Sequence, residues 1–184
     1  SSKVGMVQDF VYSLDEESNE MFYNVDLLTA EGTSVTYRMT DTLTESDDFE
    51  APSAGDLIAY SLDIEYRMDA VKILGSMAHD LSYGRTNARL DYETFCGFVG
   101  NIEYNQVSEN LNRWIHLISC TAPSGDSSVN VDYEVLKKSG PPIFIYDQHT
   151  KESSFGTIDD IDITEDEIFV SAANSSVRAI VILR

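Results

Sequence analysis

The chain has 184 residues, of which 32 are acidic and 12 basic, and its formal net charge is −20 at pH 7. A field of that sign repels the phosphates of nucleic acids and anionic lipids, so it argues against nucleic-acid binding and favours cations and basic partners. Hydrophobic residues make up 42% of the chain and aromatic residues 10%, which indicates a folded core rather than disorder. No apolar run approaches the ~20 residues that cross a bilayer, so we expect no membrane span.

Alternating runs rich in β-branched and aromatic residues predict a series of short strands in the first half. These runs cover 4–12, 21–29, 34–39, 56–62 and 69–74. The segment 30–33 contains Gly32 and is short enough to close a hairpin. The acidic segment 41–55, which contains Pro52, predicts a long exposed loop.

The second half repeats this order, which indicates a diverged duplication. The run 4–12 (VGMVQDFVY) is echoed at 96–104 (CGFVGNIEY), where a Gly, a Val and the final Tyr keep their spacing. The runs 22–29, 35–39 and 68–74 are matched in the same order by 113–120, 131–135 and 177–183. Short strands with frequent turns favour antiparallel architectures over alternating strands and helices.

We therefore predict an all-β fold of two related small antiparallel β-barrel or sandwich units in tandem, each with an interior of its own. The predicted units are 1–75 and 95–184, joined by a connector at 76–94 whose pattern favours helix and strand equally. The cysteines Cys96 and Cys120 lie in apolar runs, where buried free thiols are favoured over a disulfide.

The sequence contains no recognisable catalytic motif. His79, His116 and His149 lie in unrelated contexts, and His116 and Cys120, which would share a strand face, lack a third group. Glycine-rich phosphate loops and the clustered ligands of a zinc site are absent from the sequence. We expect a protein that is not an enzyme and that has no organic cofactor.

Calcium is the one metal that the composition suggests. The richest acidic run, 159–167, makes Asp159, Asp160 and Asp162 the candidate ligands, because hard cations prefer carboxylate oxygens. The run lacks the spacing of an EF-hand loop, so a solvated loop is the alternative interpretation.

Surface aromatic residues are the other candidate binding feature. Trp114 and Tyr23, together with Tyr60 and Tyr104, could form a platform for a carbohydrate. Trp114 occupies the repeat position that Phe22 or Tyr23 holds in the first half, so burial in a core is the competing interpretation.

Several segments resemble the β-rich, non-catalytic portion of S-layer-homology-domain surface proteins of clostridia and related Firmicutes. The segments that carry the resemblance are 4–7, 27–32, 35–37, 55–62, 143–147, 160–161, 168–170 and 177–183. The resemblance implies an extracellular or cell-surface location and a structural or adhesion role with protein or cell-wall partners. It supplies no catalytic residues, and the helical anchoring modules of such proteins have no counterpart in these segments.

Three other functions compete with this expectation. A carbohydrate-binding module would use the exposed aromatic residues, and a phage or virion structural protein would fit the same β pattern. A carboxylate-dependent hydrolase is the least favoured, because it would need two facing carboxylates in a deep cleft.

Overall fold

A computed structural model describes residues 2–78, 94–98, 101–107, 112–118, 120–121, 128–129, 133–136, 140–162, 165–173 and 176–184. For the strands between 94 and 136 the description covers the backbone and its pairing. Side chains are described for 2–78, 140–162, 165–172 and 177–184.

The first half forms one antiparallel sheet with the strand order β3-β2-β1-β4-β5. Its elements are β1 (Lys3–Asp15), β2 (Glu20–Thr29), β3 (Ser34–Arg38), α1 (Asp41–Thr44), β4 (Asp56–Leu62) and β5 (Met68–Ser76). Successive side chains of each strand point to opposite faces of this sheet. All five strands were predicted from the sequence, whereas the predicted loop at 41–55 begins with the short helix α1.

This sheet rolls until its two edges meet. Met39, directly after β3, forms an isolated parallel bridge with Met68 at the start of β5, and the Thr40 amide donates to the Met68 carbonyl oxygen over 3.0 Å. The rolled face encloses a cluster of buried side chains: Val7, Val25, Leu27, Met39, Ile58, Tyr60, Met68 and Ile73. A single bridge is not a ladder, so the sheet remains an unclosed, sandwich-like layer.

The described residues of the second half form two further sheets. Their strands are β6 (Thr94–Phe98), β7 (Asn101–Val107), β8 (Asn112–Ile118), β9 (Cys120–Thr121), β10 (Ser128–Val129), β11 (Tyr133–Leu136), β12 (Ile143–Asp147), β13 (Glu152–Gly156), β14 (Glu167–Ala173) and β15 (Ser176–Leu183). One sheet has the order β10-β9-β6-β14-β15-β12-β13, and the other has the order β11-β8-β7. The all-β prediction is confirmed.

The first two strands of each half pair in the same way. Asp15, the last residue of β1, pairs with Glu20, the first of β2; Val107, the last of β7, pairs with Asn112, the first of β8. The long strand β1, which has a bulge between Val7 and Asp9, corresponds to two strands, β6 and β7, that belong to different sheets.

The closing strands repeat the same arrangement with one correction. The pairings are Gly5 with Ile58 and Ile58 with Ile73 in the first half, and Gly97 with Val170 and Val170 with Ile180 in the second. The structural counterpart of Ile73 is therefore Ile180, and the sequence match of Ile73 with Ile182 is wrong by two residues. A shift of two keeps each side chain on its face of the sheet, so the alternation alone could not reveal it.

The hairpin β12–β13 breaks the symmetry of the two halves. It lies between β11 and β14 in the chain, whereas the first half has α1 between β3 and β4. β12 pairs in parallel with β15, with Ile143 opposite Ile180, so the hairpin extends the second sheet beyond its repeated strands.

A third layer of buried side chains lies between the sheets and joins the two halves. The first half contributes Val4, Met6, Leu28, Leu57, Ala59, Leu74 and Met77, and the second contributes Phe144, Tyr146, Phe169, Ala179, Val181 and Leu183. Gly75 leaves room for this contact, because a Cβ atom there would lie 2.5 Å from the Phe169 Cζ atom.

The halves therefore share this layer in addition to the clusters on their outer faces. The predicted connector at 76–94 starts at the last residue of β5 and ends at the first of β6. Residues 79–93 lie outside the described part of the chain.

Removing one side chain from the shared layer should weaken both halves together. Phe144→Ala empties a fully buried position and should lower the free energy of unfolding by about 3–5 kcal/mol. Ile64→Ala, at a side chain that is 97% exposed, should change it by less than about 0.5 kcal/mol. Urea unfolding followed by circular dichroism and by the fluorescence of the single Trp114 measures both. Two separate transitions in the wild-type chain would contradict a shared core.

Candidate binding surface

Three aspartates of the acidic surface hold the backbone of hairpin turns. They are Asp15 at the turn from β1 to β2, Asp63 at the turn from β4 to β5, and Asp147 at the turn from β12 to β13. The amides that donate to their carboxylates are those of Glu17 and Ser18 (3.0 and 3.4 Å), Glu65 and Arg67 (both 2.9 Å), and His149 and Thr150 (2.8 and 3.0 Å). Such bonds to a charged acceptor stabilise the turn.

The same hydrogen bonds favour the ionised carboxylates. Backbone amide donation, first of all from Ser18, Arg67 and Thr150 respectively, holds the pKa values of Asp15, Asp63 and Asp147 below their usual range. Each turn also contains a residue with positive φ: Asn19 (57°), Tyr66 (58°) and Lys151 (60°). These acids therefore serve the local backbone.

Acid should weaken these turns in a definite pH range. Because their folded-state pKa values are lowered, the stabilisation is present above the unfolded pKa of about 3.9 and is lost as the pH falls through the folded values. The triple variant Asp15→Asn, Asp63→Asn, Asp147→Asn should have a lower melting temperature at pH 7 and a smaller further loss below pH ~4.

The control for this experiment is the triple variant Glu31→Gln, Glu45→Gln, Glu50→Gln, which also removes three charges but from exposed residues outside these turns. It corrects for the general decrease in charge repulsion that protonation causes. If the triple variant and the wild type had the same acid dependence of the melting temperature, the turn assignment would be contradicted.

The predicted calcium ligands lie around the 3-10 turn Ile158–Asp160. The Asp160 Oδ2 atom accepts from the Thr157 amide (2.7 Å) and hydroxyl (3.3 Å), and this capping box fixes the start of the turn. The Asp162 amide donates to Asp166 Oδ2 over 2.9 Å, and Arg184 pairs with the other Asp166 oxygen at 3.4 Å. Within the described ranges no three His, Cys, Asp or Glu side chains form a group that could hold a metal ion. Calcium binding by Asp159, Asp160 and Asp162 thus remains a sequence prediction.

Tyr23, one of the two predicted ligand-contacting residues, belongs to a stack of aromatic rings. Its ring lies 5.1 Å from that of Phe10 at an interplanar angle of 8°, and 4.4 Å from that of Tyr12 at 27°. Phe49 approaches the same ring at 6.2 Å. Tyr23 is half-buried against the first-half cluster, and its part in a carbohydrate platform stays a prediction.

Trp114, the second predicted residue, lies in β8 at a position whose side chain is outside the described set. Its backbone pairs with Asn105, as that of Phe22 pairs with Ser13, so Phe22 is its counterpart in the first half. The histidine and cysteine pair His116 and Cys120 likewise falls outside the described side chains.

The aromatic stack lies on a two-stranded extension of the first sheet. We call residues 9–15 of β1 and 20–23 of β2 the arm. Within the described ladders, β4 pairs with β1 only from Lys3 to Met6, and β3 pairs with β2 only from Asn24 to Leu28. In the described ladders, residues 12–15 and 20–23 pair only with each other, so this outer part of the arm extends past the ladders of β3 and β4.

One face of the arm is apolar along its whole length. Opposite residues of an antiparallel pair share a face, and the set formed in this way, which we call the arm stripe, is Phe10, Tyr12, Leu14, Met21 and Tyr23. Near the body the stripe merges with the buried cluster, whereas towards the turn Tyr12, Leu14 and Met21 are 55%, 52% and 42% exposed. A contiguous exposed apolar surface is typical of an interaction site.

The other face of the arm is braced by Arg38. Its guanidinium carbon lies 4.1 Å from the centre of the Phe22 ring, and its Nη1 atom lies 3.4 Å from Asp15 Oδ2. A cation over an aromatic face and an ion pair together restrain a two-stranded hairpin that would be marginal by itself.

Sequence reasoning included Tyr23 and missed Tyr12, Leu14 and Met21. The available signal was the alternation 10-12-14 and 21-23, which continues to the acidic turn without a polar interruption on that face. Alternation identifies a face of a strand and not what covers it, so the sequence pattern does not distinguish this exposed face from a buried one.

Comparison with known proteins leaves the family of the chain open: no family model, curated protein or solved structure matches it. In the part of the chain that is described, none of the helices has the length and apolar character needed to cross a membrane.

Proposed function

We propose that the chain is a non-catalytic module of the cell surface, with a structural or adhesion role that it performs by contact through its β surface. The observation that supports this proposal most directly is the exposed arm stripe, which extends from a body whose sheets share a buried layer. A rigid body with an apolar extension is suited to contact with a partner.

The use of the acidic residues supports a role without catalysis. Asp15, Asp63 and Asp147 accept backbone hydrogen bonds at turns, and Asp160 caps a 3-10 turn. A hydrolase would instead require paired carboxylates whose pKa values differ because they share a cleft. The formal net charge of −20 helps to keep an exposed protein soluble.

A carbohydrate-binding module is the second candidate, and the Tyr12 ring favours it. Tyr12 is 55% exposed, and its ring stacks on that of Tyr23 with the two ring centres 4.4 Å apart. This stacking gives an ordered aromatic surface. Sugar rings can pack on such a surface. In this case Tyr12→Ala should abolish binding on a glycan array, whereas Tyr66→Ala, at another exposed tyrosine, should leave it unchanged.

Adhesion is tested by sedimenting the labelled chain with intact Gram-positive cells. We expect the wild-type chain to pellet with the cells, and we expect prior protease treatment of the cells to abolish pelleting if the partner is a protein. Binding that survives protease and is lost after enzymatic removal of wall glycans would identify the carbohydrate-binding function instead. A chain that stays in the supernatant with all cells and wall preparations would contradict both candidates.

A further inference from the structure

We propose that the arm stripe is the docking surface for a cationic amphipathic protein segment, in which Lys or Arg side chains flank aliphatic or aromatic ones. This inference deepens the proposed function and rests on it for the setting in which the partner is met.

The fold itself does not require the apolar end of the stripe. Leu14 pairs with Met21 in the arm, and the corresponding pair of the β7–β8 hairpin is Gln106 with Arg113. The two hairpins have the same register, yet one has apolar residues at these positions and the other has polar ones. Exposed apolar side chains lower solubility, so their presence in the first half indicates a use other than folding.

The aromatic end of the stripe is held in place by the body of the chain. Tyr23 packs on the buried cluster of the body and stacks on both Phe10 and Tyr12, while Arg38 holds the opposite face of the arm. Rings that are fixed in advance lose little conformational entropy on binding. Aromatic side chains of this kind are the usual anchors of protein interfaces.

The charges around the stripe select the partner. The turn next to Leu14 and Met21 contains four acids. Glu16 and Glu17 lie between the strands, whereas Asp15 and Glu20 pair with each other on the face opposite the stripe, where the Arg38 guanidinium contacts Asp15. A cationic segment would place its positive side chains on this acidic rim and its apolar side chains on the stripe. A second copy of the chain carries the same charge of −20 and would be repelled, and an uncharged glycan would gain nothing from the rim.

The test uses the full chain and two labelled peptides, one of alternating Leu and Lys and one of alternating Ser and Lys. Fluorescence anisotropy at low and high salt gives their Kd values. We expect the Leu-Lys peptide to bind at least about tenfold more tightly than the Ser-Lys peptide, because only it can cover the stripe. High salt should weaken its binding, since the rim contributes by charge.

Variants separate the two contributions. The double variant Leu14→Gln, Met21→Gln should bind the Leu-Lys peptide about tenfold more weakly than the wild type does, with a Kd close to that of the Ser-Lys peptide. Val11→Thr, on the opposite face of the arm and 38% exposed, should leave its Kd within about twofold of the wild-type value. Glu16→Gln, Glu17→Gln and Glu20→Gln together should raise the Kd and flatten its salt dependence. Circular dichroism melts verify that each variant is folded.

Equal affinity of the Leu-Lys peptide for the wild type and the Leu14→Gln, Met21→Gln variant would overturn the inference. So would wild-type dimers in sedimentation equilibrium that the same variant abolishes, or glycan binding that depends on these two residues. If the chain pellets with cells and this variant pellets equally well, the docking surface is wrong and the proposed function stands. If the peptide result is as expected but no cell preparation binds the chain, the proposed cell-surface role fails instead.

Discussion

The structure depends first on the apolar layer between the five-stranded and the seven-stranded sheet. Leu57 and Leu74 on one side and Phe144 and Val181 on the other are essentially without solvent exposure. Burying a side chain of this size contributes roughly 1.5–3 kcal/mol, and neither sheet could leave such a face in water by itself. The layer also explains Gly75, because any side chain there would occupy the space of the Phe169 ring. Two copies of one strand plan are thereby held as a single body.

A chain with a net charge of −20 must fold without concentrating that charge in its interior. Among the acids whose side chains are described, most are at turns or on the surface, and several bind the backbone there. Even Asp56, which is fully buried at the start of β4, accepts a hydrogen bond from the Ser53 amide at 2.9 Å. Local hydrogen bonds offset part of the cost of burying or crowding carboxylates. Acidic composition is thus part of how the turns are built, in addition to its effect on solubility.

The strands and their repeated order followed from the sequence, because alternation and turn residues are local signals. Other features depend on long-range pairing, which local patterns do not contain. The parallel pairing of β12 with β15 has no counterpart among the described strands of the first half. The structural counterpart of Ile73 is two residues away from its sequence match, and a shift of two leaves the alternation intact. The stripe was missed for a related reason: Leu14 and Val25 occupy the same face, but only Val25 is covered by the body. The run around Asp160 suggested a cation by composition, whereas its geometry includes a backbone cap.

Native-state amide hydrogen exchange of the full chain, measured across a range of denaturant concentrations below unfolding, tests the shared layer most directly. If one buried layer holds both halves, the amides of β4 and β15 should open with the same free energy and the same denaturant dependence. Amides of the arm near Leu14 should exchange through smaller openings, because that part of the hairpin lies outside the layer. Separate opening free energies for β4 and β15 that diverge with denaturant would contradict the account.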